Sequence, residues 1–111
     1  MVWVPTIDAA KVPPAQARRE EITGRMQDLL AGSAVLVLPT IPGIAPLRNR
    51  PPEETDDFRA KAMALLCIAG LARLPQVSLP VGTLDGCPVG LSLIAAQGAD
   101  AMLLAVAKAL A

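Results

Sequence analysis

The chain has 111 residues, the size of one domain, and 53% of them are apolar. Ten basic and ten acidic residues cancel, and one Trp, one Phe and no Tyr offer few stacking surfaces, so nucleic acid is not an expected partner. Counted with glycine, the apolar share is about 60% against a usual ~45–50%. Two explanations stay open: part of the surface packs against more protein, or small alanine side chains inflate the count.

The residue types also limit the chemistry. The chain has no histidine, which excludes the usual zinc arrangements and imidazole catalysis, and no metal or cofactor is expected. Cys67 and Cys87 are expected to be free thiols, which fits a reducing, cytoplasmic setting. Residues 29–47 carry no charge, but their three prolines favour a strand and loop over a membrane span.

The first predicted element is an amphipathic helix. Pro13 and Pro14 can open it, because proline is tolerated in a first helical turn, and Gly32 stops it. Its apolar stripe, spaced at i, i+4, i+7 and i+8, consists of Ile22, Met26, Leu29 and Leu30.

A strand and a loop follow. The continuous apolar run at 34–38 ends at Pro39, and such a run is typical of a strand covered on both faces, as in a parallel sheet. Residues 40–46 contain further prolines that remove backbone donors, so this segment is predicted to be a loop.

A second helix is predicted to begin at Thr55 as N-cap, because acidic residues gather where a helix N-terminus favours negative charge. These acids are Glu53, Glu54, Asp56 and Asp57, and they are interpreted as a solvated cluster rather than as catalytic carboxylates. The side chains toward Gly70 are nearly all apolar or small, which predicts that this helix ends inside the protein. Its stripe is Phe58, Ala62, Leu65, Leu66 and Ala69.

Alternating residues at 76–81 and 89–94, separated by Asp85-Gly86, predict an antiparallel hairpin. Pro80 denies one donor to the ladder and should therefore lie at an edge or a strand end. Asp100 is predicted to cap a last helix. The expected fold is α/β: a mixed sheet formed by a strand–helix–strand crossover plus a C-terminal hairpin, packed with helices in the order α-β-α-β-β-α.

Several motifs resemble the C-terminal part of amidase-signature hydrolases, from about Ala17 onward. They are Val35-Leu-Val-Leu-Pro-Thr40, Ala45-Pro46, the segment from Ile68-Ala-Gly70 to Gly82, and Asp85-Gly-Cys-Pro-Val-Gly90. Phe58-Arg59, 65–70 and 76–80 look most like the indole-acetamide hydrolase branch. The resemblance implies that residues 1–111 are the C-terminal part of an amidase-signature domain without its catalytic region.

The family cleaves amide C–N bonds with a serine nucleophile that is activated through a second serine and a lysine. The resemblance places that machinery in the longer region preceding the C-terminal part, and no residue of this chain matches it. Ser33, Ser78 and Ser92 are the only serines, and the latter two are expected to pair or pack on one side of the hairpin. No catalytic residue is therefore predicted.

Thr40, Ile41 and Pro42 are candidates for a substrate pocket. They follow a strand at its carboxyl end, where ligands gather in doubly covered sheets, and the resemblance implies that the substrate cleft is near. The alternative is that this segment only ends the strand and turns the chain.

Two functions remain open. The chain would complete the core sheet and one wall of the acyl pocket of an amidase, whose small-molecule amide substrate binds only in the full enzyme. Alternatively, it is a non-catalytic interaction module that forms a homodimer or complements a separate chain carrying the missing catalytic region.

Overall fold

The computed structural model describes residues 6–111, and its elements follow the predicted order. A 3-10 turn at Ala9–Lys11 leads into helix α1. The helices are α1 (Val12–Leu29), α2 (Pro52–Ala72) and α3 (Asp100–Leu110), and the strands are β1 (Val35–Pro39), β2 (Gln76–Leu84) and β3 (Cys87–Ala95). The α/β class and the α-β-α-β-β-α order are confirmed.

The sheet has the order β1-β3-β2, with β3 antiparallel to both neighbours. Strands β1 and β2 therefore run in the same direction, as the strand–helix–strand crossover requires. They do not pair with each other, because β3 lies between them. Both pairings of the described sheet are therefore antiparallel, and the parallel-sheet environment predicted for the 34–38 run is wrong. Ser92 at the middle of β3 lies opposite Leu38 on one side and Ser78 on the other.

The hairpin between β2 and β3 closes through a tight two-residue turn. Leu84 pairs with Cys87, and Asp85 and Gly86 between them have φ values of 51° and 74°. Two successive positive φ values define the hairpin turn that Asp-Gly favours. The register shifts between Leu79 and Gly82, and Pro80 lies in that irregularity on the edge strand β2, as its missing donor predicted.

Two predicted helix caps are wrong. Helix α2 begins at Pro52 with the extended Pro51 as N-cap, so Thr55 lies within the first turns. A proline at the first position needs no hydrogen-bond partner for its nitrogen and already has a helical φ, which lets the helix start earlier. In α3, Ala99 is the N-cap and Asp100 is the first helical residue, where its charge still favours the helix N-terminus.

Each face of the sheet carries a hydrophobic cluster. On one face, Ile94 of β3 packs with the end of α1 and the last turns of α2, through Leu30, Ala69, Ala72 and Leu74. On the other face, Leu93 and Ala95 pack under α3, through Leu103 and Ala107. The alternation of side chains along β3 divides the two clusters.

Much apolar surface is left uncovered. The radius of gyration is 16.8 Å, whereas a compact chain of this length has about 13 Å. The accessible surface is 8062 Å², about 2,300 Å² more than the ~5,800 Å² of a folded monomer of this mass. The predicted stripes are buried or partly buried except for Leu29 and Leu66, and the end of α2 exposes Leu71. Within the described chain the end of α2 is thus buried on the side of Ala69 and Ala72 and exposed on the side of Leu71.

Candidate functional site

The predicted pocket residues begin where β1 ends. The backbone N–H of Thr40 donates to the carbonyl of Gly90 at 3.1 Å, so the β1–β3 pairing continues one residue past Pro39. Thr40 therefore keeps the orientation of a strand residue. Its side chain points toward the face of the sheet that carries Ser78 and Ser92.

Four polar side chains form a hydrogen-bonded group on this face, which we call the hydroxyl cluster: Thr40, Ser78, Ser92 and Gln76. Thr40 Oγ1 lies 2.7 Å from Ser78 Oγ and 2.8 Å from Ser92 Oγ, and Gln76 Nε2 donates to Ser92 Oγ at 3.0 Å. Ser92 is fully buried. A buried hydroxyl is costly to leave unpaired, so these bonds tie the end of β1 to the hairpin.

Gly90 allows this close approach. A Cβ built at Gly90 would lie 3.0 Å from Thr40 Oγ1 and 3.2 Å from Ser78 Oγ. Any side chain at this position would press on the hydroxyl cluster. The glycine is therefore explained by the space that the cluster needs, and its φ is not in the left-handed region.

A cleft of about 320 Å³ opens beside the hydroxyl cluster, and we call it the β-edge cleft. Its walls are Thr40, Ile41, Ser78, Leu79, Pro80, Pro88, Val89 and Gly90. None of these residues is charged. The β-edge cleft thus combines an apolar wall with hydroxyl groups, within the ~300–1,000 Å³ range of small-molecule sites.

Pro42 belongs to a different concavity of about 710 Å³, between the loop at 42–47 and the first turns of α2. Four of its five charged residues form ion pairs: Arg50 Nε contacts Glu54 Oε2 at 2.8 Å, and Lys61 Nζ contacts Asp57 Oδ2 at 2.8 Å. The structure thus brings Thr40 and Ile41 together and separates Pro42 from them. The predicted role of all three in a substrate pocket stays a prediction.

The structure also shows where the serines and the acidic residues considered in the sequence lie. Ser33 is exposed in the turn between α1 and β1 and takes no part in the hydroxyl cluster. Ser78 and Ser92 do share one side of the hairpin, but Thr40 bridges them. The four acids at the start of α2 are exposed, and three of them contact a basic residue one turn away, such as Arg59 at 3.7 Å from Asp56, as expected of a solvated cluster.

Sequence reasoning missed Ser78, Ser92, Gln76 and Gly90 as members of the site. The alternation along the two hairpin strands already placed Ser78 and Ser92 on the same side. The missing signal was the position of β1, because only the β1-β3 pairing brings Thr40 over them.

Metal-ligating groups are not assembled in the part of the chain that the structure describes. Residues 6–111 hold no group of three or more Cys, Asp or Glu side chains arranged to bind a metal ion. Cys67 and Cys87 are both free thiols, as expected. None of the helices between residues 6 and 111 has the length and apolar character needed to cross a membrane.

Together, the crossover, the hairpin and the flanking helices define an α/β fold with a neutral cleft at the end of β1. The family model described as Amidase matches residues 5–104. The chain therefore belongs to the amidase family.

An amidase and an indoleacetamide hydrolase are among the proteins similar to this chain. Amidase 1 of Oryza sativa subsp. japonica is 42% identical over 95 residues, which are 86% of this chain and 22% of that protein. Indoleacetamide hydrolase of Pseudomonas savastanoi is 32% identical over 93 residues, which are 82% of this chain and 20% of that protein. The chain spans about a fifth of the length of these relatives.

The solved structures agree on the fold. The crystal structure of the glutamyl-tRNA(Gln) amidotransferase A subunit from Thermotoga maritima superposes with a TM-score of 0.77 at 25% identity. The match covers 90% of this chain and 22% of that chain. The arrangement of helices and strands seen here is thus one that occurs within larger amidase-family folds.

Proposed function

We propose that this chain is the C-terminal part of an amidase domain, where it completes the core sheet and forms one wall of the acyl pocket. The full domain would hydrolyse the amide C–N bond of a small molecule through a serine acyl-enzyme. The serine–serine–lysine machinery would come from residues outside these 111. The isolated chain should then hydrolyse no amide.

The observation that carries this proposal is the excess of accessible surface, which includes exposed leucines such as Leu66 and Leu71. About 2,300 Å² of surface beyond that of a compact monomer of this size far exceeds the ~800 Å² that one partner contributes to a standard interface. Both outer strands, β1 and β2, also have one unpaired edge within the described sheet. Unpaired edges and exposed apolar side chains are what a domain leaves where further strands and helices belong.

The type of amide substrate and the cellular location of the protein are two further parts of this proposal. An indole-acetamide-type substrate is supported by the motifs around Phe58 and by the relative named indoleacetamide hydrolase. The rice Amidase 1 is more similar to this chain, so a broader range of amides fits equally well. A cytoplasmic location is supported by the two free thiols, Cys67 and Cys87.

A chimera tests the proposal. The 95-residue segment of rice Amidase 1 that aligns with this chain is replaced by this chain, and hydrolysis of the best substrate of the rice protein is measured. The chimera should hydrolyse the amide, whereas a control without the segment and the isolated chain should not. Turnover by the isolated chain that a serine-directed reagent abolishes would refute the proposal, as would a chimera that unfolds cooperatively but lacks activity.

The same exposed surface favours one other function. A non-catalytic module would cover its apolar residues by forming a homodimer or by binding a separate catalytic chain. Light scattering after size exclusion distinguishes the cases. A concentration-independent monomer with cooperative unfolding would argue against both the missing region and an obligate dimer.

A further inference from the structure

A groove at the start of α1 differs in its charge from the two concavities described above. It has a volume of about 380 Å³ and lies between the first turns of α1 and the end of α2, and we call it the α1–α2 groove. Both ionised side chains that line it are cations. The β-edge cleft has no charged lining residue, and the concavity beside Pro42 combines three acids with two bases. The residues that line the α1–α2 groove are Ile7, Lys11, Val12, Ala15, Gln16, Arg19 and Leu71.

The middle of the α1–α2 groove is apolar. Val12 and Ala15 are three positions apart on α1 and therefore lie on the same side of the helix. Leu71 at the end of α2 and Ile7 before α1 complete this apolar stretch. Val12 and Leu71 are 41% and 43% exposed. A ligand that covered them would remove apolar surface from water, which favours binding.

Two cations border this apolar stretch. Lys11 and Arg19 are eight positions apart, which is about 12 Å along a helix axis, so one cation lies toward each end. The guanidinium of Arg19 is held in place, because its Nε and Nη2 donate to the carbonyls of Leu71 and Gly70 at 2.8 and 3.3 Å. These bonds use two of its five N–H groups. The other three are left for an anion, and a guanidinium that is already fixed loses little freedom on binding one.

The acids nearest in sequence are engaged elsewhere. Asp8 accepts a hydrogen bond from a backbone N–H of the 3-10 turn at 3.0 Å, and Glu20 lies 3.6 Å from Arg73. Among residues 6–111, neither Lys11 nor Arg19 takes part in an ion pair. The α1–α2 groove therefore carries two positive charges that the described side chains do not balance within ion-pair distance.

We propose that the α1–α2 groove binds a small apolar chain with a carboxylate at each end, one carboxylate at Arg19 and the other at Lys11. This is a ligand-binding site in addition to the proposed function, and it shares no residue with the β-edge cleft. A planar carboxylate suits the guanidinium fork, and the volume admits one short chain. A protein segment packed here would have to supply acids or bury two unpaired cations, which is costly.

Two-dimensional amide NMR on the 111-residue chain measures the binding of octanedioate, with octanoate as the matched ligand that lacks the second carboxylate. The signals of Val12, Ala15, Arg19 and Leu71 should shift saturably. Octanedioate should bind about three- to fivefold more tightly than octanoate, the effect of one exposed ion pair. A difference of twofold or less, which two equivalent carboxylates give by statistics alone, would overturn the inference, as would shifts confined to other parts of the chain.

Substitutions locate the second carboxylate. Lys11→Met removes the charge and keeps a side chain of similar length, so the two ligands should then bind within about twofold of each other. Lys108→Met, the matched change on α3, should leave their difference intact. Leu71→Ser should weaken both ligands at least about threefold by removing apolar contact, whereas Leu104→Ser on α3 should weaken neither. An undiminished preference for octanedioate in Lys11→Met would contradict the proposed geometry.

Other occupants of the groove would give different results. If residues 1–5 cover it, a chain without them should bind octanedioate several-fold more tightly than the full chain. If a second copy covers it, the affinity should fall as the chain is concentrated, and if the rest of the domain covers it, an active chimera should not bind octanedioate. Each of these results would overturn the inference. An inactive chimera refutes the proposed function alone, because the isolated chain tests the groove.

Discussion

Strand β3 and helix α2 are both rich in apolar residues, yet the chain buries them very differently. Four consecutive residues of β3, Ser92 to Ala95, are fully buried. Helix α2 is 21 residues long, but its buried residues are Ala69 and Ala72, while Met63 and Leu66 are 59% and 44% exposed. The strand finds its packing partners within these 111 residues, and most of the helix does not.

The difference follows from position rather than from composition. Strand β3 lies at the centre of the sheet, with a neighbour on each side and a hydrophobic cluster on each face. Helix α2 packs near its C-terminal end against the sheet and α1, and the rest of it extends beyond the core. In the proposed amidase domain, the residues that complete the packing of α2 lie outside this chain.

Replacing one leucine by alanine in β3 and one in α2 should give the largest difference in stability between the two regions. Leu93→Ala removes a fully buried side chain beneath α3 and should lower the free energy of unfolding by about 2–5 kcal/mol. Leu66→Ala, the matched control on α2, should change it by no more than about 0.5 kcal/mol. Urea denaturation measures both.

A large loss for Leu66→Ala would contradict the comparison, because it would mean that α2 is covered in solution. Light scattering on the same sample would then show whether a second copy of the chain provides the cover. In the active chimera the contrast should shrink, since the rice region would bury Leu66.

A glycine-to-alanine change in the hairpin should alter the free energy of unfolding by less. Whether it lowers or raises that free energy should depend on the position. Gly90→Ala places a Cβ 3.0 Å from Thr40 Oγ1 and should cost about 1–3 kcal/mol of unfolding free energy by overpacking. Gly82→Ala in the neighbouring strand β2 meets no heavy atom within 4 Å and should be neutral or stabilising by up to about 1 kcal/mol.

Thermal unfolding of the two glycine variants provides the measurement. The melting temperature should fall for Gly90→Ala alone. If both variants have the same melting temperature, Thr40 does not pack against β3 as described, and the hydroxyl cluster does not form in solution.

These residues also show how far sequence reasoning reaches. The hairpin was predictable, because Asp85-Gly86 and the alternating side chains are local signals. The start of α2 was missed because Pro51 and Pro52 determine it, whereas Thr55 looked like the better cap. The hydroxyl cluster could be predicted only in part: alternation places Ser78 with Ser92, but Thr40 joins them through the long-range pairing of β1 with β3.

The smallest change in stability is expected from α1, where the charged side chains are exposed to solvent. A hydrogen bond from Arg18, its Coulomb attraction and the nearby Arg25 lower the pKa of Glu21 below its usual value of 4.5. The folded chain therefore favours the ionised carboxylate. The resulting stabilisation is present above pH 4.5 and is lost as the pH falls through the lower pKa of the folded state.

Titration of the Glu21 carboxyl by NMR checks this prediction. Arg18→Gln should raise the pKa of Glu21 toward 4.5, and by more than Arg25→Gln does, because Arg18 supplies the largest contribution. A midpoint at or above 4.5 in the unchanged chain would show that these ion pairs do not persist in water. The pairing needs only residues three and four positions away, at Arg18 and Arg25, so it should also survive in the chimera, where the exposure of α2 changes.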